Sequence, residues 1–86
     1  MLELGKITIT ANAQRQLNKI SVLTALERHS KGDWGDLEKD DWKANDEALN
    51  NGGRILSSYK DKEDKKFWII TEWDRTVTTI LLPEDY

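Results

Sequence analysis

The segment from Arg54 to Leu82 constrains the fold most. It contains three runs rich in Ile, Leu, Val, Thr and aromatic residues, Arg54–Lys60, Lys66–Glu72 and Thr76–Leu82, the composition of β-strands. The links between them, Asp61–Lys65 and Trp73–Arg75, are too short for a crossover. The three runs therefore pair as an antiparallel meander, with a charged hairpin tip at the first link and a tight turn at the second. Pro83 has no N–H to donate to a ladder and ends the last strand. Alternation puts Phe67, Ile69 and Thr71 on one face of the central run and Trp68, Ile70 and Glu72 on the other. Neither face is wholly polar, so one takes helices and the other is partly exposed or covered by a partner.

The first half has a different period. Leu4–Thr10 alternates, Ile7 and Ile9 against Lys6 and Thr8, as a short half-buried strand does. Thr10 or Asn12 can cap a helix with Leu17 and Ile20 on its apolar face, and Ser21 starts a second with Val22, Leu23, Ala25 and Leu26. That second helix runs into Arg28, His29 and Lys31, cations suited to a helix C-terminus, and stops at Gly32. A turn around Trp34 leads to a third helix from about Asp40 to Leu49, ended by Asn51-Gly52-Gly53. The expectation is one α+β domain over residues 1–86: two or three N-terminal helices on a mainly antiparallel sheet of three to four strands, with the N-terminal strand as an added edge. Ile55 or Leu56, Ile69, Ile70, Ile80, Leu26 and Leu49 are expected in the core.

Composition removes many functions. The 86 residues contain no Cys and one His, which excludes disulfides, thiolate chemistry and an imidazole zinc site. There is no Gly-rich phosphate loop, nucleophile elbow or HExxH motif, so no cofactor and no metal are expected. The spacing around Asp33 and Gly35 does not match a calcium loop. No 18-residue apolar run or secretion signal occurs, so a cytoplasmic address without membrane contact is expected. A formal charge of −3 argues against generic nucleic-acid binding.

That small charge hides a polarity. Between Asp33 and Asn50, seven acids (Asp33, Asp36, Glu38, Asp40, Asp41, Asp46, Glu47) face only Lys39 and Lys43, a net of −5. Residues 1–32 carry five cations against Glu3 and Glu27, a net of +3. An acidic helix face can be a solvated surface favoured by the helix dipole, or a surface presented to a basic partner. Trp73 stands in a tight turn that does not require an indole, which marks it as an interface anchor.

The order Arg28-His29, Gly32-Asp33-Trp34-Gly35, Asn45, Ala48-Leu49, Gly53-Arg54, Ser57, Tyr59, Trp68–Glu72, Asp74-Arg75 and Thr78–Pro83 with Tyr86 resembles a family of small bacterial proteins of plasmids, phages and other mobile elements. Its members often carry the label plasmid-related protein. The resemblance covers nearly the whole chain and is most specific from Trp68 to Pro83. It implies a genomic setting rather than a mechanism. The chain departs from the family pattern in having Trp73 in place of a small residue, Ala11 in place of a proline, and no glycine in the first hairpin.

Two functions follow as expectations. In the first, the chain is a non-enzymatic interaction module that inhibits a host defence nuclease of a restriction or CRISPR system. Asp33, Asp36, Asp40, Asp41, Asp46 and Trp73 then meet a basic surface of a host protein or nuclease complex; a sheet apolar on both faces is also compatible with a homodimer. In the second, the chain is a metal-independent endoribonuclease of barnase/RelE-like layout, the only case in which RNA is a partner. His29 would be the general base, Arg54 and Arg75 would hold the phosphate, and Tyr59 or Ser57 would donate to the oxyanion. That set works only if His29 and an arginine open onto one concave site.

Overall fold

Hydrophobic alternation and short links produce the sheet expected from them. In a computed structural model describing residues 1–86, β1 (Lys6–Ile9) is followed by three helices, α1 (Ala11–Gln16), α2 (Lys19–Ser30) and α3 (Lys39–Asn51). The strands β2 (Ile55–Lys60), β3 (Lys66–Thr71) and β4 (Val77–Leu81) come next, and a 3-10 turn at Pro83–Asp85 ends the chain. The fold is α+β, with a four-stranded mixed sheet ordered β1-β4-β3-β2. β2, β3 and β4 form the antiparallel meander, while β1 joins β4 in parallel, Ile7 opposite Thr78.

Local chemistry sets the helix boundaries. Thr10 caps α1 by accepting from the Ala13 N–H at 3.1 Å. Ser21, expected to start the second helix, does not: Asn18 is the cap, and its Oδ1 accepts from both the N–H and the hydroxyl of Ser21. The earlier start leaves Ile20 exposed. Asp85 holds the C-terminus to α1, accepting from the Thr10 hydroxyl at 2.7 Å and the Asn12 amide at 3.1 Å. The Thr10 contact is the largest reason its carboxyl titrates below the usual range.

One sheet face carries the main core. Ala13, Leu17, Val22 and Ala25 from α1 and α2 pack on Tyr59, Phe67, Ile69, Ile80 and Leu82. A smaller cluster, Leu2, Trp34 and Ile55, lies toward α3 and gathers Leu37, Trp42 and Ala48. Of the expected core, Ile55, Ile69, Ile70 and Ile80 are buried and Leu26 packs half-buried against the main cluster. Leu49 is exposed instead, because α3 turns Ala48 toward the core and ends one turn later. Ile7 and Ile9 are also exposed: β1 is an edge strand, not the half-buried strand its alternation implied.

The other sheet edge, β2, is covered. The Leu56 C=O accepts from the Asn45 side chain at 2.8 Å, so α3 seals the ladder there. Two residues on, the Ser58 N–H donates to the Trp34 C=O and the Ser58 C=O accepts from the Asp36 N–H. The turn before α3 thus pairs with β2 as a short extra strand, which protects the edge. Gly35 is required there. Its φ is +75°, and a Cβ would lie 2.0 Å from the Ser58 carbonyl oxygen.

The first hairpin is more than a charged tip. Asp61 is buried, and its carboxylate accepts from the N–H groups of Asn18, Glu63 and Lys65. Burial alone would raise its pKa; those bonds outweigh it and hold the group below the ordinary value. Asp64 takes a positive φ of 64°, the conformation that a turn glycine would otherwise supply.

Candidate functional site

His29 lies on the same helical face as Val22 and Ala25, and that face is the one α2 turns to the sheet. It is wholly buried. Its Nδ1 is 2.5 Å from the Ser57 hydroxyl and its Nε2 is 2.8 Å from Thr71 Oγ1. Thr71 Oγ1 is 2.8 Å from Thr78 Oγ1, which donates to the Leu4 carbonyl at 2.7 Å. Each hydroxyl has one proton, so that last bond orients the whole chain. Thr78 donates to Leu4, Thr71 to Thr78, and the His29 Nε2–H to Thr71. Nδ1 is then the acceptor, and Ser57 donates to it. A neutral imidazole satisfies every member. Burial lowers the His29 pKa to about 4, which keeps the ring neutral near pH 7.

This arrangement corrects the ribonuclease expectation. His29 and Ser57 are both fully buried, and neither lines any cavity. Tyr59 is buried and donates to the Asp33 C=O at 2.7 Å; burial pushes its hydroxyl up to about 12. Arg54 donates to the Tyr86 hydroxyl at 2.6 Å and faces Glu72 at 3.9 Å. Arg75 donates to the Ala48 and Gly53 carbonyls. It ties the second meander turn to the end of α3. No cavity brings His29 and an arginine together around a phosphate-sized space. The expected cleft is filled by the core because the spacing of Val22, Ala25 and His29 turns the imidazole inward with the two apolar side chains.

The acidic segment divides into two groups. Asp33 and Asp46 serve the turn. Asp33 makes a two-pronged pair with Arg28, at 2.7 and 3.2 Å, which lowers the Asp33 pKa and raises that of Arg28. Arg28 also stacks over the Tyr59 ring, 5.0 Å from its centroid. Asp46 accepts from the buried Trp34 indole N–H at 2.9 Å. The Trp34 ring in turn meets His29 edge-on, 5.6 Å between centroids.

Asp36, Glu38, Asp40, Asp41 and Glu47 form the second group. All are exposed, and their carboxylates make neither an ion pair nor a hydrogen bond. Asp36, Glu38, Asp40 and Asp41 crowd the first turn of α3 and the segment before it, where the helix dipole favours negative charge, and Glu47 lies past the middle of the helix. Trp73 is 69% exposed at the β3–β4 turn. Arg75 fixes that turn to the C-terminal end of α3, so the length of α3 separates the indole from the acids at the start of that helix.

Sequence alternation missed one residue, Ser58. It points to the sheet face opposite Ser57, beside Leu56 and Trp68, and its hydroxyl is buried without a hydrogen-bond partner. The signal was present: Leu56, Ser58, Trp68 and Ile70 alternate onto the face opposite Ser57, where Tyr86 packs edge-on against Trp68. No group of three acids or histidines is arranged to hold a metal ion, and no helix is long and apolar enough to cross a membrane. Comparisons with family models, curated proteins and solved structures find no match to this chain.

Proposed function

We propose that the chain is a non-enzymatic interaction module of mobile-element type, whose acidic face binds a basic surface of a host protein or nuclease complex. The observation that carries this reading is the set of unpaired exposed carboxylates Asp36, Glu38, Asp40, Asp41 and Glu47. Like charges held close together on one element repel each other, and they gain most from an opposite charge supplied by a partner. Exposed Trp73 supplies apolar contact area at the other end of α3. Inhibition of a restriction or CRISPR nuclease is the form of this function that suits a small acidic protein of a mobile element, since such nucleases present basic grooves to nucleic acid.

Steering by opposite charges makes association fast at low salt and weak at high salt. The test is capture of host-lysate proteins on the immobilised chain at low and high salt. One basic protein or complex should be retained at low salt and released as salt rises. The triple reversal Asp40→Lys, Asp41→Lys, Glu47→Lys, which spares the Asp46 that holds Trp34, should abolish retention. Retention unchanged by that reversal, or no retained protein, overturns the proposal.

A further inference from the structure

Where the turn before α3 meets the sheet face opposite the main core there is a groove of about 330 Å³. Asp36, Glu38 and Asp41 form its rim, and Leu56, Ser58 and Trp68 line it from the sheet. Lys66 is the one cation among the lining residues. The three carboxylates have no partner.

Ser58 supplies the independent observation. The residue is 2% exposed, and its hydroxyl is the one buried side-chain polar atom in the molecule with no hydrogen-bond partner. Its backbone is fully used, the N–H by Trp34 and the C=O by Asp36. A buried hydroxyl left unmet is costly, and native structures satisfy nearly all such groups. Ser58 lines the groove on the same sheet face as Leu56 and Trp68, so its side chain is aimed toward the groove.

The lining selects the chemistry of that occupant. Three carboxylates and a hydroxyl oxygen all accept hydrogen bonds, so the occupant is a cation with several donors. The acids are not grouped closely enough to close on one metal ion. The indole of Trp68 and the side chain of Leu56 offer an apolar wall. A guanidinium suits both requirements: it has five N–H donors in one plane, is weakly hydrated, and stacks on aromatic faces. An ammonium is a strongly hydrated point charge and gains less from such a wall.

We propose that this groove is an arginine-binding subsite, taking a guanidinium side chain from the basic partner between Trp68 and the Asp36, Glu38 and Asp41 carboxylates, with Ser58 accepting one of its N–H groups. The assignment rests on the acidic-face function proposed above, and names the side chain recognised.

The experiment titrates the isotope-labelled protein at low salt with three blocked tripeptides, Gly-Arg-Gly, Gly-Lys-Gly and the uncharged Gly-citrulline-Gly, and follows amide and indole N–H resonances. The arginine peptide should produce saturable shifts at Ser58, Asp41 and the Trp68 indole. The lysine peptide should bind at least threefold more weakly, and the citrulline peptide should give no saturable shift. Ser58→Ala should weaken arginine binding at least threefold without lowering thermal stability, a combination that a purely structural serine would not give. Asp41→Asn should weaken it further. Equal binding of arginine and citrulline, shifts spread evenly over Asp40 and Glu47, or an unchanged affinity in Ser58→Ala each overturn the subsite. Salt-sensitive capture of a lysate partner alongside any of these results overturns the subsite alone. Saturation of the groove by arginine with no captured partner overturns the proposed function alone.

Discussion

Ser57 and Ser58 are neighbours on one strand, both buried, and they have opposite fates. Ser57 faces the helices and opens a run of hydrogen bonds through His29, Thr71 and Thr78 to the Leu4 carbonyl. Every donor in that run has an acceptor. Ser58 faces the opposite side of the sheet, and its hydroxyl has no partner. The same side chain on the same strand is a closed structural element on one face and an open valence on the other. A polar group inside a satisfied network contributes to a unique fold, whereas a polar group left open beside a groove is available to a ligand.

The largest expected effect breaks the closed side. His29→Ala leaves the Ser57 hydroxyl without a partner, removes the donor to Thr71 and opens a cavity under Trp34. It should cost about 3–5 kcal/mol in chemical denaturation, a large part of the stability of so small a domain. A loss below 1 kcal/mol would show that the imidazole is not a keystone of the core.

A pH titration sharpens the contrast next. Burial lowers the His29 pKa from 6.5 in the unfolded chain to about 4 in the fold. Between those values the unfolded chain binds a proton that the folded chain does not. Stability is therefore full above pH 6.5 and falls as pH drops toward 4, by roughly 3 kcal/mol in total. The aspartates whose carboxyls are held below 3.8, such as Asp33 and Asp85, lose their contribution only at lower pH. Urea melts of the wild type should show a slope between pH 6.5 and 5 that His29→Gln removes. A flat wild-type profile over that range would contradict a buried neutral histidine.

The smallest effect compares the two serines directly. Ser57→Ala strands the Nδ1 acceptor of His29 and should cost about 1–3 kcal/mol. Ser58→Ala removes a hydroxyl with nothing to lose and should leave stability within about 1 kcal/mol, or raise it. Equal losses in the two variants would erase the distinction between the faces.

Much of this molecule was legible from residue order alone. Alternation and short links located β2, β3 and β4 to within a residue, because a strand's period and a hairpin's reach are local properties. Thr10 as a cap, Gly32 after α2 and Pro83 after β4 follow from chemistry within a few residues. The acidity of α3 was also plain, since it is counted from residue order alone. Tertiary structure alone decided which polar residues face inward. His29 belongs by spacing to the face of Val22 and Ala25, yet its partners Ser57 and Thr71 come from strands 28 and 42 residues away. The division of the acids was likewise invisible, since Asp33 and Asp46 are taken up by Arg28 and Trp34 only once the turn docks on β2. The orphaned Ser58 hydroxyl is the extreme case. Whether a hydroxyl has a partner depends on every neighbour the fold brings within about 3 Å, and no local pattern contains that information.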